Sequence, residues 1–396
     1  MMVDIIRDIR QYLWAARRER TPGETSVVAI VGDRRRNAYS AWRVIVALVV
    51  AVFFVLAAVD AARQLSGRMM ELDGEIQALQ LQLESEPALD PLGVREQIEA
   101  LSAQRLTIHN IGWGKLAASA GVYTVALVLC ACFWHDCLGA FGARIPLHVS
   151  VAAHVLGHVG KYVPGKAMVV LLRVSAVGRH AGVGRIPAAL AVFIETLTLM
   201  ASGATLAGLA ILMLPAETWL RLLAGALAVL AVIPTLPPLF RLVLARLART
   251  RFGRGADFSA TAFDWSLMLR GWLWTGAAWL MFGLAFWLIV LATPGVGEGA
   301  EGWSGYLTAA ATIALAMVAG FLSLIPGGAG VRELVIIALL APLSGTGPAL
   351  AAAVLARLVF LLTETATSGI TWGILRWTEP VESEEGIDYN SSTVAH

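Results

Sequence analysis

The fold class this sequence predicts is an all-α polytopic membrane protein, with about six full spans plus two re-entrant helical hairpins in an inverted repeat. Three observations predict it. The 396-residue chain is 58% hydrophobic and 15% charged, with mean hydropathy +0.71, too apolar for a soluble globule of this size. Its arginines gather in a few loops, which orients the spans by the positive-inside rule. Two apolar stretches are each broken by Pro-Gly, at Pro164-Gly165 and Pro326-Gly327, and the residues beyond the two breaks match as well. Pro164 and Pro326 lie 162 residues apart, and so do Glu195 and Arg357. An internal repeat is the economical reading, and broken helices placed alike in two halves point to the binding site of a transporter.

Residues 1–41 form a basic arm in which Arg7, Arg10, Arg17, Arg18, Arg20, Arg34, Arg35 and Arg36 outnumber the acids, so this end is expected in the cytoplasm. Ile5, Ile6, Ile9, Leu13 and Trp14 share a helical face there, which suits either the inner leaflet or a solvated helix. So long a polar stretch before the first apolar span does not read as a cleavable signal peptide. Residues 42–59 make the first span. From 60 to 112 the chain turns acidic, and Leu72, Ile76, Leu79 and Leu83, then Val94, Ile98, Leu101 and Leu106, recur at helical spacing around a Pro- and Gly-containing turn. This reads as an extracytoplasmic helical hairpin, either a solvated spacer or a surface for a protein partner.

The membrane core occupies 113–376. Leu116 to Trp134 spans back inside. Val149 to Val163 stops at Pro164-Gly165 and resumes from Ala167 to Val177. At 1.5 Å per residue these arms are about 22 and 16 Å long, too short for a bilayer of about 30 Å. They therefore form a hairpin that enters and leaves from the cytoplasm, and its tip must line a cavity or pack deep in the bundle. Ile186 to Leu214 then spans outward, Leu222 to Phe240 returns to an Arg-rich loop, and Gly271 to Ala292 crosses out again. Tyr306 to Ile325 leads to Pro326-Gly327-Gly328, and Val331 to Ala341 climbs back as an arm of about 16 Å. The longer arm suffices to span by itself, but the shorter does not, so re-entry from outside is preferred. Ala349 to Leu375 is the last span, and 377–396 is an acidic cytoplasmic tail expected to be disordered.

Charges inside spanning helices cost about 2.5 to 3.5 kcal/mol each on insertion scales and need partners. Glu195 and Arg357 are therefore expected to form an ion pair or to be two poles of one polar cavity, with Glu364 two turns beyond Arg357 on the same face. At the breaks, glycine permits the sharp turn, proline starts the next helix without losing a needed donor, and the new helix N-terminus attracts anions. Lys161, Tyr162, Pro164, Gly165 and Lys166, together with Arg173, make the first candidate binding element; Pro326, Gly327, Gly328, Gly330, Arg332 and Glu333 make the second. Arginine grips phosphate bidentately, and Glu333 is placed to cap its own turn or to pair with Arg332. Together with Glu195, Arg357 and Glu364 these form the predicted substrate site.

A net charge of +2 without a basic tract argues against nucleic acid as a main partner. No P-loop, dinucleotide fingerprint or nucleophilic triad is present, so no cofactor and no catalytic residue is assigned. Cys130, Cys132 and Cys137 read as packing residues without a disulfide framework. His154 and His158, four apart on one helix face, lack acidic or thiolate ligands at suitable spacing, so no metal is assigned; a proton-relay role stays open.

At Gly160-Lys161-Tyr162-Val163-Pro164-Gly165-Lys166, the Glu195 helix, Ile325-Pro326-Gly327-Gly328-Ala329-Gly330-Val331-Arg332-Glu333 and Ala356-Arg357-Leu358, the chain resembles the flippase-like membrane domain of lysylphosphatidylglycerol synthetases in its standalone form. The resemblance covers about 113–376 and leaves out the arm, first span and outer hairpin. It implies a flippase that translocates an anionic lipid or lipid-linked head group between leaflets, of anionic phospholipid or polyprenyl phosphate type, with no covalent chemistry required. A membrane-embedded head-group transferase is the weaker reading, since only Glu195, Glu333 and Glu364 offer acid/base groups at depth. A bacterial inner (cytoplasmic) membrane location is expected with this reading, and the placement of the arginines puts both termini in the cytoplasm. Residues 377–396 are not expected to form a soluble aminoacyl-transferase domain, a departure from the synthetase pattern that makes lipid aminoacylation an unfavoured expectation here. The alternative is a non-transporting scaffold or accessory subunit of envelope lipid or polysaccharide assembly. Self-association as a homo-oligomer, and a protein partner at the 60–112 hairpin, complete the partner expectations.

Overall fold

The computed structural model describes residues 69–85, 91–103, 110–162, 167–181, 184–213, 218–248, 263–323 and 325–377, with a few isolated positions before residue 69. All lie in the unit Phe53–His396. The expectations for the basic arm, the first span and the acidic tail fall outside the described residues. The described chain is helical throughout, without a strand.

The segment before the core is helical at 69–85 and again in α1, Pro91–Ala103, on either side of the predicted turn. The core then runs through α2 (Trp113–Ala140), α3 (Leu147–Gly157), a 3₁₀ turn (His158–Tyr162), α4 (Ala167–Ala181), α5 (Arg185–Met213), α6 (Thr218–Val232), a second 3₁₀ turn (Ile233–Thr235) and α7 (Pro237–Ala248). It continues with α8 (Trp265–Ala292), α9 (Gly302–Leu322), a 3₁₀ turn at Pro326–Gly328, α10 (Val331–Ser344) and α11 (Thr346–Trp377). Five of these helices, α2, α5, α8, α9 and α11, are long and apolar enough to cross a membrane. The chain is a multi-pass membrane protein.

One reading changes. The span placed at Leu222 to Phe240 is not one helix. Pro234, Pro237 and Pro238 lack the amide hydrogens an α-helix needs, so α6 gives way to a 3₁₀ turn and α7 starts afresh at Pro237. The long arm of the second broken element, α9, has 21 residues and is long enough to span, as the sequence allowed, while its short arm α10 has 14 and is not. Both breaks, by contrast, fall where expected: α3 ends in a 3₁₀ turn before Pro164, and α9 ends just before Pro326.

α2 and α8 make the most extensive helix contact, fixed where the buried Ser119 hydroxyl donates to the Ala285 carbonyl at 2.8 Å. Hydrocarbon offers little drive for helices to associate, so close approach and hydrogen bonds must hold such a bundle. α11 supplies the close approach: Ala349, Ala352, Ala353 and Ala356 are all buried in the core that also holds Tyr123, Trp279, Phe282 and Phe286. A second core, around Phe133, Trp134, Val149 and Val177, joins α2 to α3, α4 and α5. α8 starts cleanly because Asp264 accepts the Leu267 amide at 2.8 Å. Each broken element packs on itself, α3 against α4 and α9 against α10, and the 3₁₀ turns of the two breaks touch one another. The bundle therefore brings two sequence-distant Pro-Gly elements to one place.

Candidate functional site

At the second break, three needs of the backbone are met by glycine. Gly327, Gly328 and Gly330 have φ of 62, 67 and 81°, the left-handed region that side-chain-bearing residues avoid. The chain can thus reverse within a few residues of Pro326 and start α10 at Val331. Glu333 closes this start: its Oε2 accepts the Gly330 amide at 2.8 Å, while its Oε1 accepts from Arg357 Nη1 at 2.8 Å. One carboxylate therefore caps the short arm and ties it to α11. The neighbouring Arg332 takes another course. Its stem runs through a slot where a Cβ on Gly320 or Gly328 would come within about 3 Å of its Cγ and Nε. Its buried Nε has no hydrogen-bond partner, and among the described residues no carboxylate pairs with it.

The first break uses its charges differently. Arg173 on α4 lies over Gly157 of α3, where a Cβ would meet its Cγ at 2.5 Å, and its guanidinium also sits 5.6 Å from the Trp134 ring. Its Nη1 donates to Glu195 Oε2 at 2.8 Å, and both side chains are almost fully buried. The other Glu195 oxygen lies 3.3 Å from His154 Nε2. Lys161 donates to Glu364, which has no exposed surface. Tyr123 from α2 donates to the same carboxylate, and so does Tyr162, at 2.7 Å. Glu364 thereby clamps the first break to α11 and α2.

Between these elements lies a cavity of about 310 Å³. Six predicted residues line it: Lys161, Arg173, Glu195, Gly327, Gly328 and Arg332. Three cations thus face one carboxylate, on walls that are otherwise largely apolar, including Trp279 and Phe282 of α8. The cavity reaches the outside of the bundle at Phe193 and Ile325, which are 55% and 40% exposed.

The family described as the lysylphosphatidylglycerol synthase TM region matches residues 87–366, more than two thirds of the sequence. The chain belongs to this family. No curated protein matches it. The family match begins at residue 87 and so takes in α1, which the motif resemblance had left outside. Membership implies a lipid-related function in the membrane.

Against this family background, the predicted site divides. Glu195 and Arg357 do not pair. Each is satisfied within its own half, by Arg173 on α4 and Glu333 on α10, because the short arm of each broken element packs closer than the opposite half does. Arg357, Glu333, Tyr162 and Glu364 stand behind the cavity rather than on its wall. Of the two roles open to Glu333, the cap is made and the Arg332 pair is not. Pro326 is the first residue of its 3₁₀ turn, and Pro164, Gly165 and Lys166 lie outside the described residues. Sequence reasoning missed Tyr123, Gly157 and Gly320. A signal for the last two existed: each is a glycine in the arm before a break, 16 and 12 residues ahead of the arginine it accommodates. Among the described residues no group of three or more His, Cys, Asp or Glu side chains is arranged to hold a metal.

Proposed function

We propose that this protein carries an anionic lipid or lipid-linked head group between leaflets, holding the phosphate in the cavity between the two breaks. The observation that carries the reading is Arg332. A guanidinium buried at Nε, without a carboxylate and facing an apolar-walled cavity, is a costly arrangement that an incoming anion would relieve. Arg332 offers the bidentate grip that phosphate accepts, with Lys161 and Arg173 adding positive potential from the opposite wall. The opening at Phe193 and Ile325 lets acyl chains leave sideways into lipid while the head group stays inside, which favours a lipid over a free anion.

In this reading the two broken elements act as re-entrant hairpins of an inverted repeat, entering from opposite faces of a bacterial inner membrane with both termini in the cytoplasm. Transport then proceeds as the halves rock about the fixed site. The remaining predicted residues support the site from behind. Glu195, Glu333 and Glu364 are each engaged by cations or hydroxyls and so serve as counter-charges that hold the elements around the cavity. The test is reconstitution into liposomes with fluorescent phosphatidylglycerol, phosphatidic acid and zwitterionic controls in one leaflet. Transfer of the anionic lipids that is lost in Arg332→Ala supports the proposal. Wild-type protein that moves none of the panel overturns it.

A further inference from the structure

Two histidines stand beside the cavity with nitrogens that nothing satisfies. His158 is on the cavity wall, and its Nε2 is buried without a hydrogen-bond partner. One turn back, His154 is fully buried; its Nε2 lies 3.3 Å from Glu195 Oε1, and its Nδ1 is likewise buried and unpartnered. The two rings are 5.1 Å apart at their centroids. With its Nε2–H donating to the carboxylate, a neutral His154 carries its lone pair on Nδ1. Two buried ring nitrogens without hydrogen-bond partners are a costly feature, and here they sit together between the cavity and a charged pair.

The surrounding charges say when a proton can occupy them. Facing the pair are Glu195 from α5, Arg173 from α4, Lys161 from the first break, and Arg332 from α10. α2 contributes Tyr123 on the cavity wall and the thiols of Cys130 and Cys137 near Glu195, and Glu364 of α11 is reached through Lys161. Arg173 is balanced by Glu195 and Lys161 by Glu364, so among the described residues the positive charge left uncompensated at the cavity is that of Arg332. A proton added to His158 in the empty cavity is repelled by that charge across a low-dielectric space. An anionic head group on Arg332 removes the repulsion and attracts the proton instead.

We propose that the His158–His154 pair takes up one proton from water together with the anionic head group, so that the protein binds lipid anion and proton as linked cargoes. This rests on the reading of the cavity as a head-group site. No covalent bond is made or broken beyond the new N–H on an imidazole, and the proton leaves again to water when the head group leaves. Linkage is reciprocal: if the head group draws in a proton, acid must tighten head-group binding.

The experiment measures binding of short-chain phosphatidylglycerol to the purified full chain in detergent between about pH 5 and 8, where imidazole titrates. Its phosphodiester keeps a single charge across that range, so the probe does not itself change. Affinity is expected to rise as pH falls, by up to about tenfold per pH unit for one linked proton. His158→Gln and, separately, His154→Gln should flatten that slope. His135→Gln should not, because His135 is held by the Ser150 hydroxyl at 2.9 Å, away from the cavity wall. Binding that is intact but flat with pH in the wild type, or a slope retained in both His158→Gln and His154→Gln, overturns the linkage and leaves the head-group site standing. Absence of binding at every pH overturns both.

Discussion

At the first break Lys161 rests on Glu364 and Arg173 on Glu195, so every described cation there has a carboxylate of its own; at the second, Glu333 goes to Arg357 and Arg332 is left with none. The sense of the pairing is also reversed. In the first half the acid sits on the long helix and the base on the short arm, whereas in the second the base sits on the long helix and the acid on the short arm. The same Pro-Gly device thus serves two ends. A break whose described cations are all paired acts as a joint, held to its neighbours by charges that are spent on each other. A break with one spare cation keeps an attraction in hand for something that is not protein. Buried pairs contribute little net stability but are expensive to leave half-made, so the two kinds of charge should respond to mutation in opposite ways.

That contrast can be broken from either side. The largest effect is expected at the joint: Glu195→Gln leaves Arg173 buried without its counter-charge and should destabilise the fold by about 3 to 5 kcal/mol. The double variant Glu195→Leu, Arg173→Met should recover most of that loss. Thermal unfolding in detergent checks both. Arg332→Ala should behave in the opposite manner, leaving the unfolding temperature within a degree or two while lowering lipid transfer by roughly ten- to a hundredfold, the worth of one charge-assisted contact. Gly320→Ala comes next. It leaves every charge in place but pushes a methyl into the slot that seats Arg332, and should weaken anionic lipid binding by about tenfold, read in the same binding assay. The smallest effect is expected for Glu333→Gln, which loses a cap and a partly exposed pair worth about 1 kcal/mol in all, measured again by thermal unfolding. A large loss of stability in Arg332→Ala, or none in Glu195→Gln, would erase the distinction between the breaks.

Covalent features were legible from the chain alone. Prolines and glycines dictate where a helix can continue, so both breaks lie where Pro164 and Pro326 place them, and the apolar lengths of α2, α5, α8 and α11 marked out those helices to within several residues at each end. The same rule, applied less strictly at Pro234, Pro237 and Pro238, produced the one span that the structure divides. The partners of the buried charges were not legible, because pairing depends on which helices pack together. Nothing in the spacing of Glu195 distinguishes Arg173 from Arg357 as its mate. Tyr123 and Glu364 are 241 residues apart, and only the bundle makes them neighbours. The matching of the two breaks did suggest that they belong near each other, and their 3₁₀ turns are in contact.

The opening at Phe193 and Ile325 sets the concentration scale on which this site would work. A ligand that enters from the hydrocarbon side is sampled at its mole fraction in the leaflet, not at its vanishing solubility in water. A single spare guanidinium, too weak to capture a dilute solute, is then strong enough to be filled and emptied many times. Soluble head-group analogues such as glycerol phosphate would correspondingly be poor ligands and poor inhibitors. Weakness, at this site, would be what lets cargo come off on the other side.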